Sequence, residues 1–474
     1  MFSNKIKSKE KIVLVENAEI VTENSKLVKI FSDFFSTVVD KLNIAINDDH
    51  ISETSSSDPV WASIERFSKH PSILNIKKRM GNISPKFKFQ YVDQNQISKE
   101  IQNLNSKKAM QQNDIPVKLL KENNDSFSYV IYHNFNNSIY EDCFPYILKT
   151  ADLTPVYKKE EKFLKQNYRP VSILPNISKI FERCLYDQIN TYFENILSKL
   201  QFGFRKGHSA QHCLIVLIEK CRQMLDKSGF SGILLTDLSK AFDCINHQLL
   251  IAKLYAYGFD ISSVRYIHSY LTDRKQRVKI NASFSEWSKI KYGVRQGSIL
   301  GPLLFNIFIC DLFFDIIDIE VANYADDTTP YTYDYTIENV IQKLEINGNK
   351  IFQWFSDNYL KANPDKCHFL TNKKGDISIN IKNENISSSQ CQKLLGIKFD
   401  NTLFFDDHVS SICKKASNKL NALVRVANYM NFDQRRLIMK AFITSQFGYC
   451  PLVWMFHSRK IGRASCRERV LRLV

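Results

Sequence analysis

The chain has 474 residues, 44% hydrophobic and 12% aromatic, which is enough apolar material for two or three domains and too much for a disordered chain. Its 65 Lys and Arg against 49 Asp and Glu leave a formal charge of +16, favouring a polyanionic partner such as nucleic acid or an anionic membrane surface. Eleven scattered cysteines, with no C-x-x-C pair and no Cys/His cluster at zinc spacing, point to a reducing compartment. The opening MFSNKIKSKEKIVLVENAEI has neither a long apolar core nor a signal-peptide cleavage pattern. In KLVKIFSDFFSTVVDKL, Val28, Phe31, Phe35 and Val38 fall at helical spacing, and the polar NDDHISETSSSD after it reads as a linker, flexible over about 45–60. The pattern then stays helical to about 150, including ISKEIQNLNSKK, and residues 1–150 show packing helices with no visible chemistry.

From 151 to 400 the pattern changes. A β-like run, ADLTPVYKK, leads through a basic connection to NYRPVSILPNISKIFERCLYDQI, which turns helical after Pro175. The helix CLIVLIEKCRQMLDK, the strand GILLTDL and a new helix from Ser239 follow. Two β-rich stretches, KQRVKIN and KIKYGV, precede the Gly/Pro-punctuated turn RQGSILGP and the apolar helix LLFNIFICDLF. That run is broken by Asn306, Asp311 and Asp315, which a membrane span would hardly tolerate, so the chain reads as soluble and intracellular, in cytoplasm and/or nucleus, with no membrane partner. A strand, tight turn and strand around Asp326, the helix IENVIQKLEINGNKIFQWFSDNYL and the hairpin KLLGIKFD complete an irregular α+β layer arrangement without repeats. Beyond it, Lys414 to Val474 carries thirteen Lys and Arg against Asp433 and Glu468, a surface suited to a phosphate backbone.

The acids at the strand ends carry the chemistry. In GILLTDL, Ile233, Leu235 and Asp237 alternate onto one face, and a carboxylate beside an apolar face needs solvent, a partner or a metal. Taken singly, Asp237 could cap the following helix, and the Asp326–Asp327 pair could be an ordinary hairpin turn. If the strands are sheet neighbours, however, all three converge. Three carboxylates at one point suit two Mg²⁺ ions, which prefer oxygen ligands and can stabilise both oxygens of an in-line phosphoryl transfer.

In order and spacing, TDLSKAFDCINH, VRQGSILGPLLFNIFICDL and NYADDT resemble the palm of a reverse transcriptase, most closely those of non-LTR (LINE-like, jockey-type) retrotransposons. LTPVYKK, NYRPVSILPNISKIFERCL, QFGFRKGHSA, SYLTDRKQRVKIN, DNYLKANPDKCHFL and LLGIKFD match further blocks, densely over 151–400 and more loosely to 460. The resemblance implies a right-hand polymerase fold with fingers and palm over 151–400 and a partial, basic, helical thumb over 401–474. It implies Asp237, Asp326 and Asp327 as catalytic metal ligands for two Mg²⁺ ions, for which Mn²⁺ may substitute, and an RNA template, a DNA primer and dNTPs as partners. Phe242 falls where the family places an aromatic gate against the ribose 2′-hydroxyl, and the plain reading of it is a core aromatic. Lys158 and Arg169 fall where basic residues grip the triphosphate, a point charge and a donor fork respectively, and a solvated surface charge is the plain reading of each. Gln296 and Gly297 match the block beside the nascent base pair, with Gly297 allowing close backbone approach to substrate, and Lys366 matches a cation near the leaving pyrophosphate.

Several features depart from the family pattern. Arg295 stands where the family often has Pro, a change expected to be tolerated. Relatives carry an endonuclease before the polymerase, and nothing in 1–150 has its chemistry, so this chain alone is not expected to nick a target. IGRASCRERV at 461–470 resembles one frame of a common sequencing adapter, which makes 461–474 candidate non-native sequence. An RNA-directed DNA polymerase is the expected function. The alternatives are an inactive or repurposed retroelement fragment that binds nucleic acid without catalysis, and a group II intron or telomerase-like enzyme, which S-I-L-G-P and SYLTDRKQRVK suit less well.

Overall fold

The computed structural model describes residues 11–37, 56–81, 87–158, 160–362 and 366–455. The chain folds as two compact units, interleaved in sequence. One comprises the chain up to Leu197 with Lys240–Phe314 and Phe355–Lys361; the other comprises Ser198–Ser239, Asp315–Trp354 and the chain from Ala362 onward.

The first unit is organised on a mixed sheet. Its Thr150–Tyr157 strand pairs antiparallel with Tyr168–Ile173 and parallel with Lys275–Ile280, which in turn pairs antiparallel with Ser283–Phe284 and Ser288–Lys289. The strand Tyr168–Ile173 is hidden in sequence, because Arg169 and Pro170 interrupt its alternation; the Thr150–Tyr157 ladder supplies its pairing. Of the expected KIKYGV strand only its first residue, Lys289, joins a ladder. The rest makes single backbone bonds, Ile290 N to Arg274 O at 3.0 Å and Val294 N to Phe242 O at 2.8 Å.

The helix Asn24–Thr37 covers one face of this sheet. Its Leu27, Val28, Phe31, Phe34 and Phe35 recur at helical spacing and form one cluster with Leu153, Tyr168, Val278 and Ile280. Val38, assigned to the same stripe, lies outside the described residues, as does most of the expected linker. The expected helix from Ser239 is instead a single turn, Ala241–Cys244, then a break, then His247–Ala256. The break has a cause: Asn246 Oδ1 accepts Leu249 N at 3.0 Å and starts a new helix.

The apolar run of the sequence becomes the helix Leu300–Ile309, in which every residue except Pro302 is buried. A helix apolar all round belongs at the centre of a core. At its end Asp311 is fully buried, and its carboxylate accepts from the equally buried Lys253 Nζ at 2.6 Å, which also donates to Phe308 O at 2.7 Å. No helix among the described residues is long and apolar enough to cross a membrane.

The second unit holds a four-stranded antiparallel sheet in the order His368–Thr371, Phe230–Leu235, Asp327–Asp334, Glu320–Tyr324. Alternation gives it two buried faces. Ile233, Leu235, Tyr331 and Leu370 pack with Cys213, Leu214, Leu217 and Ile218 of the helix Ala210–Asp226. On the other face Leu234 and Phe369 pack with Ile337, Val340 and Leu344 of the helix beginning at Ile337. The described residues after 400 are mostly helical from Asp406, as the resemblance implies.

Replacing Lys253 by Met leaves the Asp311 carboxylate buried without its cation. We expect urea denaturation to report a loss of about 3–5 kcal/mol for Lys253→Met, and a recovery of much of it in Lys253→Met/Asp311→Leu.

Candidate active site

The backbone register fixes where the acids lie. Tyr331 pairs with Ile233 across the antiparallel ladder, and the same register continues to a Thr328–Thr236 bridge, where Thr236 Oγ1 donates to Thr328 O at 2.7 Å. One step further along, Asp237 stands opposite Asp327. On the other side of that strand Tyr324 pairs with Asp327, so Ala325 and Asp326 form a two-residue hairpin loop. Counted by alternation from Leu235, where the strand ends, Asp237 falls on the side of Ile233 and Leu235, next to the hairpin tip by the same register. The single turn after it has Lys240 at its N-cap position with no side-chain cap bond, so helix capping does not account for Asp237.

The hairpin is held from two directions. Ala325 takes a φ of +59°, a left-handed conformation that costs an L-residue roughly 1–2 kcal/mol. Beneath it the buried Asn323 amide offsets that cost, donating to Ala325 O at 2.9 Å, Asp327 O at 3.3 Å and Thr328 Oγ1 at 3.2 Å. Alongside, the 200–203 segment runs parallel to the outer strand, with Asn323 N donating to Leu200 O at 2.9 Å and Phe202 N to Asn323 O at 2.8 Å. There Gly203 approaches so closely that a Cβ on it would lie 2.3 Å from Ala325 N. Neither Asn323 nor Gly203 is singled out by sequence reasoning, although both lie within quoted motifs.

The three acids are half-buried. Lys366 Nζ lies 3.0 Å from Asp237 Oδ2 with both side chains partly in solvent, which puts a cation directly on one of the expected metal ligands. Among the described residues no three His, Cys, Asp or Glu side chains are gathered tightly enough to form a ready-made metal cluster. The donor set is nevertheless all carboxylate oxygen, the chemistry a hard divalent cation takes, and it already attracts positive charge at Asp237.

The first unit holds a cavity of about 270 Å³ lined by Lys240, Asp243, Gln296, Ser172 and Lys291, with Phe35 and Ser36 of the Asn24–Thr37 helix also on its wall. Gln296 Nε2 donates to Asp243 Oδ1 at 3.4 Å. Burial pushes the Asp243 carboxyl up to about 6, while the charge of Lys240 and the Gln296 hydrogen bond pull the other way. Its charged lining is four basic residues, Lys240, Lys289, Lys291 and Arg295, against Asp243, which suits an anionic ligand. The Gln296 carbonyl accepts Ser172 N at 2.8 Å, tying this turn to the Tyr168–Ile173 strand. Gly297 has a φ of +115°, and a Cβ there would sit 2.6 Å from Ser172 O. The close approach visible at Gly297 is therefore to Ser172.

Phe242 stacks on Phe305, with ring centroids 4.3 Å apart and planes inclined by 12°. Arg169 faces Val156 across the ladder, and Lys158 N donates to Asn167 O at 2.8 Å, so alternation places Lys158 and Arg169 on one face of the same ribbon. Both are exposed and neither lines the cavity. Arg295, unlike a surface arginine, is buried, and its Nη2 donates to Lys275 O at 2.9 Å and Lys149 O at 3.3 Å. Those carbonyls lie at the start of two sheet strands, a tie that a proline at 295 could not make. Nearby the fully buried Glu182 accepts Tyr270 Oη at 2.9 Å and the backbone N of Ile299 at 2.6 Å, at the start of the Leu300–Ile309 helix.

Residues 156–399, just over half of the chain, match the reverse transcriptase (RNA-dependent DNA polymerase) family, and the chain belongs to it. Among curated proteins it is 29% identical over 331 residues to the probable RNA-directed DNA polymerase from transposon BS of Drosophila melanogaster, covering 66% of this chain and 36% of that protein. It is 28% identical over 291 residues to the RNA-directed DNA polymerase from mobile element jockey of the same fly, covering 59% and 32%. With the probable RNA-directed DNA polymerase from transposon X-element of that species it shares 26% over 339 residues, covering 68% and 37%. The chain spans about a third of the length of these relatives.

A methyl group at 203 must displace the hairpin backbone. Gly203→Ala is expected to lower stability by about 1–3 kcal/mol in urea denaturation.

Proposed function

We propose that the chain is an RNA-directed DNA polymerase of the non-LTR retrotransposon kind, adding dNTPs to a primer 3′-hydroxyl along an RNA template. The observation that carries this reading is the register that sets Asp237 opposite Asp327 at the tip of the Asp326–Asp327 hairpin. In the right-hand description, the four-stranded sheet is the palm, the Thr150–Tyr157 sheet belongs to the fingers, and the helices after 400 are a partial thumb.

Members of this family use divalent metal ions, and here Asp237, Asp326 and Asp327 are the residues that would hold two Mg²⁺, with Mn²⁺ as a substitute. Bound there, the ions would activate the 3′-hydroxyl and neutralise charge building on the transferred phosphate and the departing pyrophosphate. The protein's own residues orient the reactants. Arg169 offers a forked donor and Lys158 a point charge to the triphosphate. Gln296, braced by Asp243, presents its backbone beside the new base pair, and Phe242 occupies the space a ribose 2′-hydroxyl would need. Lys366, paired with Asp237 before substrate arrives, is available to exchange that carboxylate for the leaving pyrophosphate. Sequence is read by base pairing, and the basic C-terminal stretch follows the backbone.

Primer extension on poly(rA)/oligo(dT) with Mg²⁺ or Mn²⁺ tests the proposal. The parent chain should incorporate dTTP, and EDTA or Asp326→Ala/Asp327→Ala should reduce incorporation to background while template–primer binding persists. Binding by the parent chain without incorporation would favour the reading as a nucleic-acid-binding element remnant.

A further inference from the structure

Phe242 does not hold its own position. Its backbone carbonyl accepts Val294 N at 2.8 Å, and two residues on Ile245 O accepts Gly293 N at 2.8 Å. Gly293 O in turn accepts from His247 Nε2 at 2.7 Å, and burial pushes that imidazole down to about 4, so it is neutral with its proton on Nε2 at assay pH. The 293–294 segment is therefore laced to both ends of the short Ala241–Cys244 turn.

The approach is closer than any other residue could make. Gly293 has a φ of +81°, and a Cβ built on it would lie 2.7 Å from Asp243 O, 2.8 Å from Asp243 Cα and 2.8 Å from Phe242 O. All three are backbone atoms, so no side chain can swing aside. A methyl group there would force the 242–243 backbone back by roughly 0.7 Å to reach ordinary contact distance. On its other side the Phe242 ring lies nearly parallel to Phe305 at 4.3 Å, a contact made from the fully buried face of the central helix.

We infer that Gly293 and Phe305 are positioning residues that set nucleotide sugar selectivity by fixing Phe242 from two sides. The inference rests on the reading of Phe242 as the gate against the ribose 2′-hydroxyl. A gate of this kind discriminates by the presence or absence of one oxygen atom, so a displacement of a fraction of an ångström at its backbone changes which sugar fits. Their effect on the sugar is carried by where the Phe242 ring stands.

The experiment measures kcat/KM for dTTP and for UTP on poly(rA)/oligo(dT) with the full chain, its Phe242→Val, Gly293→Ala and Phe305→Leu variants, and each variant's Tm. Phe242→Val should sharply lower the preference for dTTP. Gly293→Ala and Phe305→Leu should each lower it by about tenfold, through the ratio of the two substrates rather than through equal losses on both. If Phe242→Val relaxes selectivity but the other two change dTTP and UTP use in parallel, the positioning role is overturned and the gate stands. A ratio unmoved in Phe242→Val overturns the gate and the positioning role together. If Gly293→Ala does not fold, Phe305→Leu decides between the same two outcomes. A parent chain without incorporation removes the polymerase reading on which both depend.

Discussion

Mutual repulsion of carboxylates is the constraint around which the second unit is built. Asp326 and Asp327 are chain neighbours and Asp237 faces Asp327, so without a compensating cation each charge would push the others apart. A loop would relieve the repulsion by moving. Here the acids sit on a sheet covered on both faces, and the turn between two of them is held from below by Asn323 and from the side by the 200–203 segment. The left-handed φ at Ala325 persists because those contacts over-determine it. The stiffness that resists repulsion would also keep these carboxylates in place for the cations proposed to bind them.

The same logic extends to the first unit, where the turn that carries Gln296 and Gly297 is anchored by backbone rather than by side chains. Ser172 N bonds the Gln296 carbonyl, and the Gly297 position leaves no room for a Cβ against Ser172. Arg295 then reaches the ends of two strands from the same turn. A buried guanidinium bound to carbonyl dipoles is an unusual support, and burial draws its pKa well below the ordinary arginine value, with Glu182 opposing that shift. Substituting Arg for Pro at this point exchanges a conformational restraint for a set of hydrogen bonds.

Local patterns made much of this legible in advance. Period-two alternation in GILLTDL puts Ile233 and Leu235 on one face, and they share one buried cluster. Helical spacing finds the Asn24–Thr37 stripe, and the apolar run at 300–309 reads as a core helix once its acids are noticed. What stayed hidden depends on partners far away in the chain. Tyr168–Ile173 is a strand because Thr150–Tyr157 is there to pair with it, and Gly203 matters because Ala325 passes beside it. Asn323 was legible only as a polar residue before a tyrosine; its role needs the turn geometry that its own amide stabilises. Lys158 and Arg169 are similar, since their shared face is a property of the ribbon and not of either segment.

The Asn24–Thr37 helix has a consequence for how this protein can be divided. The matched family region begins at residue 156, inside the Thr150–Tyr157 strand, and leaves that helix out. A fragment cut to those bounds would lose six of the eight residues of that strand and expose Tyr168, Val278 and Ile280 to water where five side chains of the helix now cover them. An uncovered apolar sheet face of that kind is a site of self-association, and a strand shortened at one end leaves neighbours with unpaired edges. The bounds of a recurring sequence signature and the bounds of a packed unit are thus separate quantities here, and the Asn24–Thr37 helix is part of the difference.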